Sequence, residues 1–206
     1  MTVSHSIIIT GGNTGLGFET AKAVADDNRA MVVFACRDAQ LGNEAVAKLT
    51  TLGDHAIFLH LDLADQGSIS QFVEVFHDAG MPPLKGIICN AGMQNAATPT
   101  KTAQGYETIF AVNHLGHYLL TRLLLAYLEP DACITFVSSG THDPKEKTGL
   151  PEPRYENATA AAQDFEPGRT AGLRRYTTSK LCNIYNATNS PVDCRNRATR
   201  AFRQSR

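Results

Sequence analysis

The sequence predicts an α/β fold, a doubly wound parallel sheet with helices on both faces. Three observations predict it. Short apolar runs recur along the chain and are near-continuously hydrophobic, as strands covered on both faces must be. Longer helical stretches separate them, which is the alternation of a parallel sheet wound with right-handed crossovers. Every cluster of glycine, aspartate, asparagine or serine discussed below falls at the end of a strand or just after it, where such sheets bind ligands.

The elements follow in order. "SIIIT" (6–10) is the first strand, and "TGGNTGLG" (Thr10 to Gly17) turns it into a helix over 15–27. "MVVFAC" (31–36) leads to a helix over 38–52 whose start, "RDAQLGNE", has polar residues suited to capping. "AIFLHL" (56–61) precedes a helix over 65–79 that opens on "DQGSIS". "GIICN" (86–90), a helix over 103–128, "CITFVS" (133–138) and a helix over 174–187 complete the pattern. Residues 140–172 show no sustained periodicity and hold many prolines and glycines, so the spacing predicts a long loop, functional or disordered. These elements divide the chain into an α/β domain over 1–187 and a basic, disordered tail over 188–206.

Composition narrows the function classes. At 206 residues, 43% hydrophobic and 19% charged, the chain can bury a core without staples. A net charge of -1 disfavours nucleic acid as a partner, and no stretch approaches the ~20 apolar residues of a membrane span. The N-terminus carries no export signal, and the five cysteines are odd in number and lack CxxC spacing. A reducing cytoplasm is the expected setting.

The glycine turn carries the first chemical signal. Gly11 permits a tight turn, Gly15 close approach of the backbone, and Gly17 packing of the helix. Asn13, Thr14 and Leu16 lie between them, and the helix N-terminal amides face a pyrophosphate. At the end of the second strand Cys36 stands where an acid would bind a ribose 2′-hydroxyl, and Arg37 follows directly. That favours a 2′-phosphate, hence NADP(H), over NAD(H). The pair in "YTTSK", Tyr176 and Lys180, shares one helix face a turn apart, and a nearby ammonium favours the phenolate form of a tyrosine.

The turn "TGGNTGLG", "CNAG" (89–92), "VSSG" and "YTTSK" together resemble the short-chain dehydrogenase/reductase family. "NHLGHYLLTRLLL" and "YTTSKLCN" place the resemblance in its retinol-dehydrogenase-like and protochlorophyllide-reductase-like branch, over residues 5–185. The resemblance implies a Rossmann-type fold whose Asp62, in "LDL" with Leu63, bonds the adenine. Asn90 would brace the central sheet, while Ala91 and Gly92 leave room for the cofactor. It implies a carbonyl–alcohol oxidoreductase in which Tyr176 donates the proton, Lys180 bonds the nicotinamide ribose and Ser139, rather than Ser138, orients the substrate oxygen. Asn113 would hold a water linked to Lys180. A homo-oligomer through the helices at 103–128 and 174–187 is implied in the same way. The loop at 140–172 is expected to cover a bulky apolar substrate. His114 and His117, three apart on one helix, lack a third ligand, so roles in packing or in supporting a neighbouring site residue, and no metal, are expected.

Family members continue beyond the YxxxK helix with further strands. Here that place is taken by "NATNSPVDCRNRATRAFRQSR" (186–206). The expectation is a chain lacking the last strands of the fold, with strand five as an exposed edge. A nucleotide-binding protein with weak or no catalysis is the alternative reading, and a basic-tail interaction module the remote third.

Overall fold

A computed structural model describes residues 3–26, 28–51, 55–94 and 98–189. Five strands form one parallel sheet in the order β3-β2-β1-β4-β5. They are β1 His5–Thr10, β2 Ala30–Cys36, β3 His55–His60, β4 Leu84–Cys89 and β5 Leu128–Phe136. Strand order reverses between β1 and β4, so the crevice beyond their carboxyl ends is the switch point of the sheet.

Adjacent residues of a strand face opposite ways. Ile8 therefore packs with Val33, Phe72, Phe76, Leu120 and Leu124, under α3 (Gln66–Asp78) and α5 (Gly116–Leu124). Ile9 packs with Ala21, Val32, Phe34 and Leu49, under α1 (Gly15–Ala25) and α2 (Ala39–Thr50). The caps expected from the polar starts are present. The Asp38 carboxylate accepts the Leu41 amide at 2.9 Å, and Asp65 accepts that of Gly67 at 2.9 Å.

The single helix expected over 103–128 is divided. Residues 101–107 form a turn closed by a bridge between Lys101 and Glu107, and the Glu107 carboxylate accepts the Phe110 amide at 2.8 Å. That cap starts α4 (Thr108–Phe110), which passes through a π-helical turn, Ala111–Leu115, into α5 and ends in a 3₁₀ turn, Leu125–Tyr127. Strand β5 begins at Leu128, which pairs with Leu84, earlier than the apolar run alone indicated.

The segment 140–172 is an ordered, docked structure. It contains 3₁₀ turns at Gly140–His142 and Pro144–Glu146, then α6 (Ala158–Ala162). The last helix, α7 (Arg169–Asn189), starts earlier than 174 and runs past the domain boundary set at 187. Ala161 and Ala162 of α6 pack with Phe110 and Cys182, joining α4 and α7. Beneath them lies an ion pair, Arg175 Nε to Glu107 Oε1 at 3.4 Å, with both side chains almost fully buried. Residues 190–206, which contain most of the proposed tail and Cys194, lie outside the described residues.

Candidate active site

The glycine turn stands at the switch point. Gly11 and Gly15 adopt φ of 59° and 53°, left-handed values that a Cβ would strain. A Cβ on Gly15 would meet nothing within 4 Å, so the space in front of the first α1 amides is open. Gly17 is different: its Cβ would lie 2.5 Å from Asn90 Nδ2 and closer still to the Gly11 carbonyl. The third glycine thus packs against the turn itself and against Asn90, not against the strand. Asn13 is half-buried, while Thr14 and Leu16 are exposed.

Asn90 braces this turn directly. Its Nδ2 donates to the carbonyls of Thr10 at 3.0 Å and Gly11 at 3.2 Å. The amides of Asn90 and Ala91 both donate to the Thr10 hydroxyl at 2.9 Å. A Cβ on Gly92 would lie 3.3 Å from Lys180 Nζ, so residues 90–92 run from the glycine turn to the lysine.

Beyond the carboxyl end of β2, Arg37 is exposed and makes no ion pair or hydrogen bond among the described residues. Neighbouring Asp38 is committed to capping α2. Burial, helped by the Asp38 charge, pushes the Cys36 thiol up to about 11, so it stays uncharged at neutral pH. Asp62 Oδ1 accepts the Ala64 amide at 2.9 Å, and the Asp62 amide donates to Ser68 Oγ at 2.9 Å. Leu63 is buried, and its carbonyl abuts Gly116, where a Cβ would not fit.

At the other end, Tyr176 and Lys180 project from α7. Lys180 is buried, its Nζ donates to the Val137 carbonyl at 3.3 Å and sits 5.6 Å from the centroid of the Tyr176 ring. Burial lowers the Lys180 pKa from the ordinary lysine value. Among the described residues the Tyr176 hydroxyl meets no hydrogen-bond partner. The two serines differ. Ser138 Oγ donates to the Lys180 carbonyl at 2.7 Å and is spent on seating α7. Ser139 Oγ only accepts, from the Thr141 amide at 3.4 Å, which leaves its proton for another acceptor. Its carbonyl accepts from His142 Nδ1 at 2.6 Å, and the 3₁₀ turn that follows packs on α7.

Asn113 lies on the π turn, a form that recurs at functional positions. Its side chain clamps Met93, accepting the amide at 2.7 Å and donating to the carbonyl at 2.9 Å, and also donates to Ser179 Oγ at 3.0 Å. It thereby locks the segment after β4 to the Tyr176 helix, a contact the motif alone did not indicate. The histidines diverge: His114 is within 3.4 Å of Asn183 Oδ1, whereas His117 bonds Thr10 and the Asn113 carbonyl. Sequence reasoning missed the role of Thr10 and its bond to His117. Both are polar residues inside apolar stretches, the one signal that could have found them.

The comparisons with known proteins agree with this architecture. A model of the short chain dehydrogenase family matches residues 5–151. Protochlorophyllide reductase A from Arabidopsis thaliana is 34% identical over 196 residues, 87% of this chain and 48% of that protein. The Hordeum vulgare protochlorophyllide reductase A is 36% identical over 197 residues, 86% of this chain and 50% of that protein. The chain thus spans about half the length of these curated relatives. A metagenomic short-chain oxidoreductase solved in complex with NADP superimposes with a TM-score of 0.67 at 21% identity, over 90% of this chain and 74% of that one. With the family model covering most of the described residues and the switch-point site in place, the chain belongs to the short chain dehydrogenase family.

Proposed function

We propose that the chain is an NADP(H)-dependent oxidoreductase that interconverts a carbonyl and an alcohol on a bulky hydrophobic substrate. The observation that carries this reading is the buried Lys180 ammonium beneath the Tyr176 ring. It lies beside Gly92, at the end of the segment that begins at the glycine turn. The open space before the α1 amides, with Gly15 free of neighbours, fits a pyrophosphate. Arg37, unpaired among the described residues and next to an uncharged thiol in place of an acid, favours a ribose 2′-phosphate. When bound, the nicotinamide would supply or accept the hydride.

The protein's part is to hold and move the proton. Ser139 keeps a free hydroxyl proton to orient the substrate oxygen. Tyr176 gives its proton to that oxygen as charge develops there. The Lys180 ammonium stabilises the negative charge left on the tyrosine oxygen. Asn113 holds Met93 and Ser179, and so fixes where both sides of the cleft stand.

The first part of the 140–172 segment follows Ser139 directly and supports a covering role for an apolar substrate. The second part lies along the flank of α4 and α7, so self-association through those helices would meet residues 154–166 first. No helix of the described residues is long and apolar enough to cross a membrane, and none of the four described cysteines forms a disulfide. A small-molecule substrate and a reducing setting, the cytoplasm, complete the proposal.

The test is NADPH oxidation by the purified chain with hydrophobic and with small polar aldehydes, alongside NADPH binding by nicotinamide fluorescence. Turnover of the hydrophobic panel, lost by about 10²–10⁴-fold in Tyr176→Phe with binding kept, is expected. Turnover of small polar carbonyls alone would overturn the substrate class. Binding with no turnover would favour the alternative, a nucleotide-binding protein without catalysis.

A further inference from the structure

His117 has no part in the chemistry above, yet its ring is fully buried and both nitrogens are engaged. The Asn113 carbonyl, 3.1 Å from Nδ1, can only accept, so Nδ1 carries the proton. Burial pushes the pKa of the ring down to about 4 and keeps it neutral, which leaves Nε2 an acceptor. The Thr10 hydroxyl, 2.8 Å from Nε2, must therefore donate to it. The competing acceptor, the Ile88 carbonyl, is farther away at 3.4 Å. With its proton placed on the histidine, the Thr10 oxygen offers both lone pairs to the Asn90 and Ala91 amides. One imidazole thus ties together the end of β1, the residues after β4 and the π turn.

The tied segment is the spacer of the site. At one end a Cβ on Gly11 would touch the Ala91 Cα at 3.0 Å, and at the other Gly92 abuts Lys180 Nζ. We infer that His117 is a positioning residue for the nicotinamide half of the dinucleotide. By accepting the Thr10 proton it sets the separation between the glycine turn and the Tyr176–Lys180 pair. This rests on the dinucleotide reading proposed above. The adenosine half, with Arg37 and Asp62 beyond β2 and β3, touches none of these bonds.

The experiment compares two ligands on the full chain: NADPH, followed by nicotinamide fluorescence, and adenosine 2′,5′-bisphosphate, followed by calorimetry. The variants are His117→Leu, His117→Gln, Thr10→Val and the double Thr10→Val/His117→Leu. His117→Leu is expected to weaken NADPH about tenfold, the cost of one unmade buried hydrogen bond, and Thr10→Val by more, because it also strips the Asn90 and Ala91 amides of their acceptor. The double variant should be no worse than Thr10→Val alone, because that variant already removes the bond to His117. Bisphosphate affinity should stay within about twofold throughout, which also reports that each variant folds. His117→Gln, whose amide oxygen can take the place of Nε2, should keep most of the NADPH affinity. Parallel weakening of both ligands, additive losses in the double variant, or a glutamine as poor as leucine would overturn the inference. A wild-type chain that binds neither ligand would overturn the dinucleotide reading itself, a result distinct from these.

Discussion

Acid should unfold this protein through two histidines. His114 and His117 are buried, and burial pushes each from an ordinary 6.5 down to about 4. For His117 the nearby Lys180 and His114 charges act in the same direction, against an opposing hydrogen bond to the Asn113 carbonyl. A depressed histidine is neutral in the native state while the unfolded chain already binds protons. The unfolded state therefore gains as pH falls below about 6.5, and the stability present above that value is lost on the way down to about 4. Each group contributes about 2 kcal/mol of loss by about pH 5, so the pair removes about 4 kcal/mol if independent. That is a large share of the roughly 5–15 kcal/mol expected of a domain. Glu107 works the other way: burial raises its pKa, so it favours the native state at low pH and opposes part of the loss. Urea unfolding at about pH 7 and about pH 5 measures the difference, and His117→Gln should remove about half of it. A flat stability between those conditions, or a His117→Gln chain with unchanged pH dependence, would refute the reasoning.

Four further outcomes are expected. Glu107→Ala takes the buried carboxylate from Arg175, leaving only the more exposed Asp164 at 3.8 Å, and should cost about 3 kcal/mol by urea unfolding, whereas Glu107→Leu with Arg175→Met should recover most of that. Gly17→Ala forces a Cβ against the Gly11 carbonyl and Asn90, so about 1–3 kcal/mol of stability and the NADPH fluorescence signal should fall together. Ser138→Ala should lower the melting temperature by removing about 1 kcal/mol while keeping turnover, and Ser139→Ala should do the reverse in a steady-state assay. Arg37→Ala should shift the ratio of NADPH to NADH affinity toward NADH by about tenfold, measured by paired fluorescence titrations.

Much of this was legible because local chemistry dictated it. Runs such as "MVVFAC" can only be covered strands, and the glycine turn demands backbone conformations that few residues adopt. Position relative to Gly140 singled out Ser139, and the structure supplies a reason, since Ser138 is bonded to the Lys180 carbonyl. What could not be read depended on distant partners. The Thr10–His117 bond joins residues 107 positions apart. The π turn uses residues that an α-helix would accept equally, so no propensity marks it. The 140–172 segment lacks periodicity because its order comes from contacts made one at a time, such as Arg154 with Thr178 and Asn157 with the Ala160 amide.

Those contacts change what the segment can do. At about 100° per residue, Arg175, Thr178, Cys182 and Tyr185 lie on one face of α7. Each meets the inserted segment: Arg175 donates to the Glu166 carbonyl at 2.7 Å, Thr178 accepts the Arg154 amide at 3.0 Å, Cys182 packs on α6, and Tyr185 lies 5.7 Å from Tyr155. Tyr176, Lys180 and Asn183 lie on a second face, rotated by about 150° on the same count. Residues 154–166 therefore cannot cover a substrate held at Tyr176 while they stay docked. Their contacts are with the helix instead, where α6 packs α7 against α4. The covering role proposed for the segment therefore falls to 140–149, which follows Ser139 directly. Substitutions there should alter substrate preference, whereas those at 154–166 should alter stability.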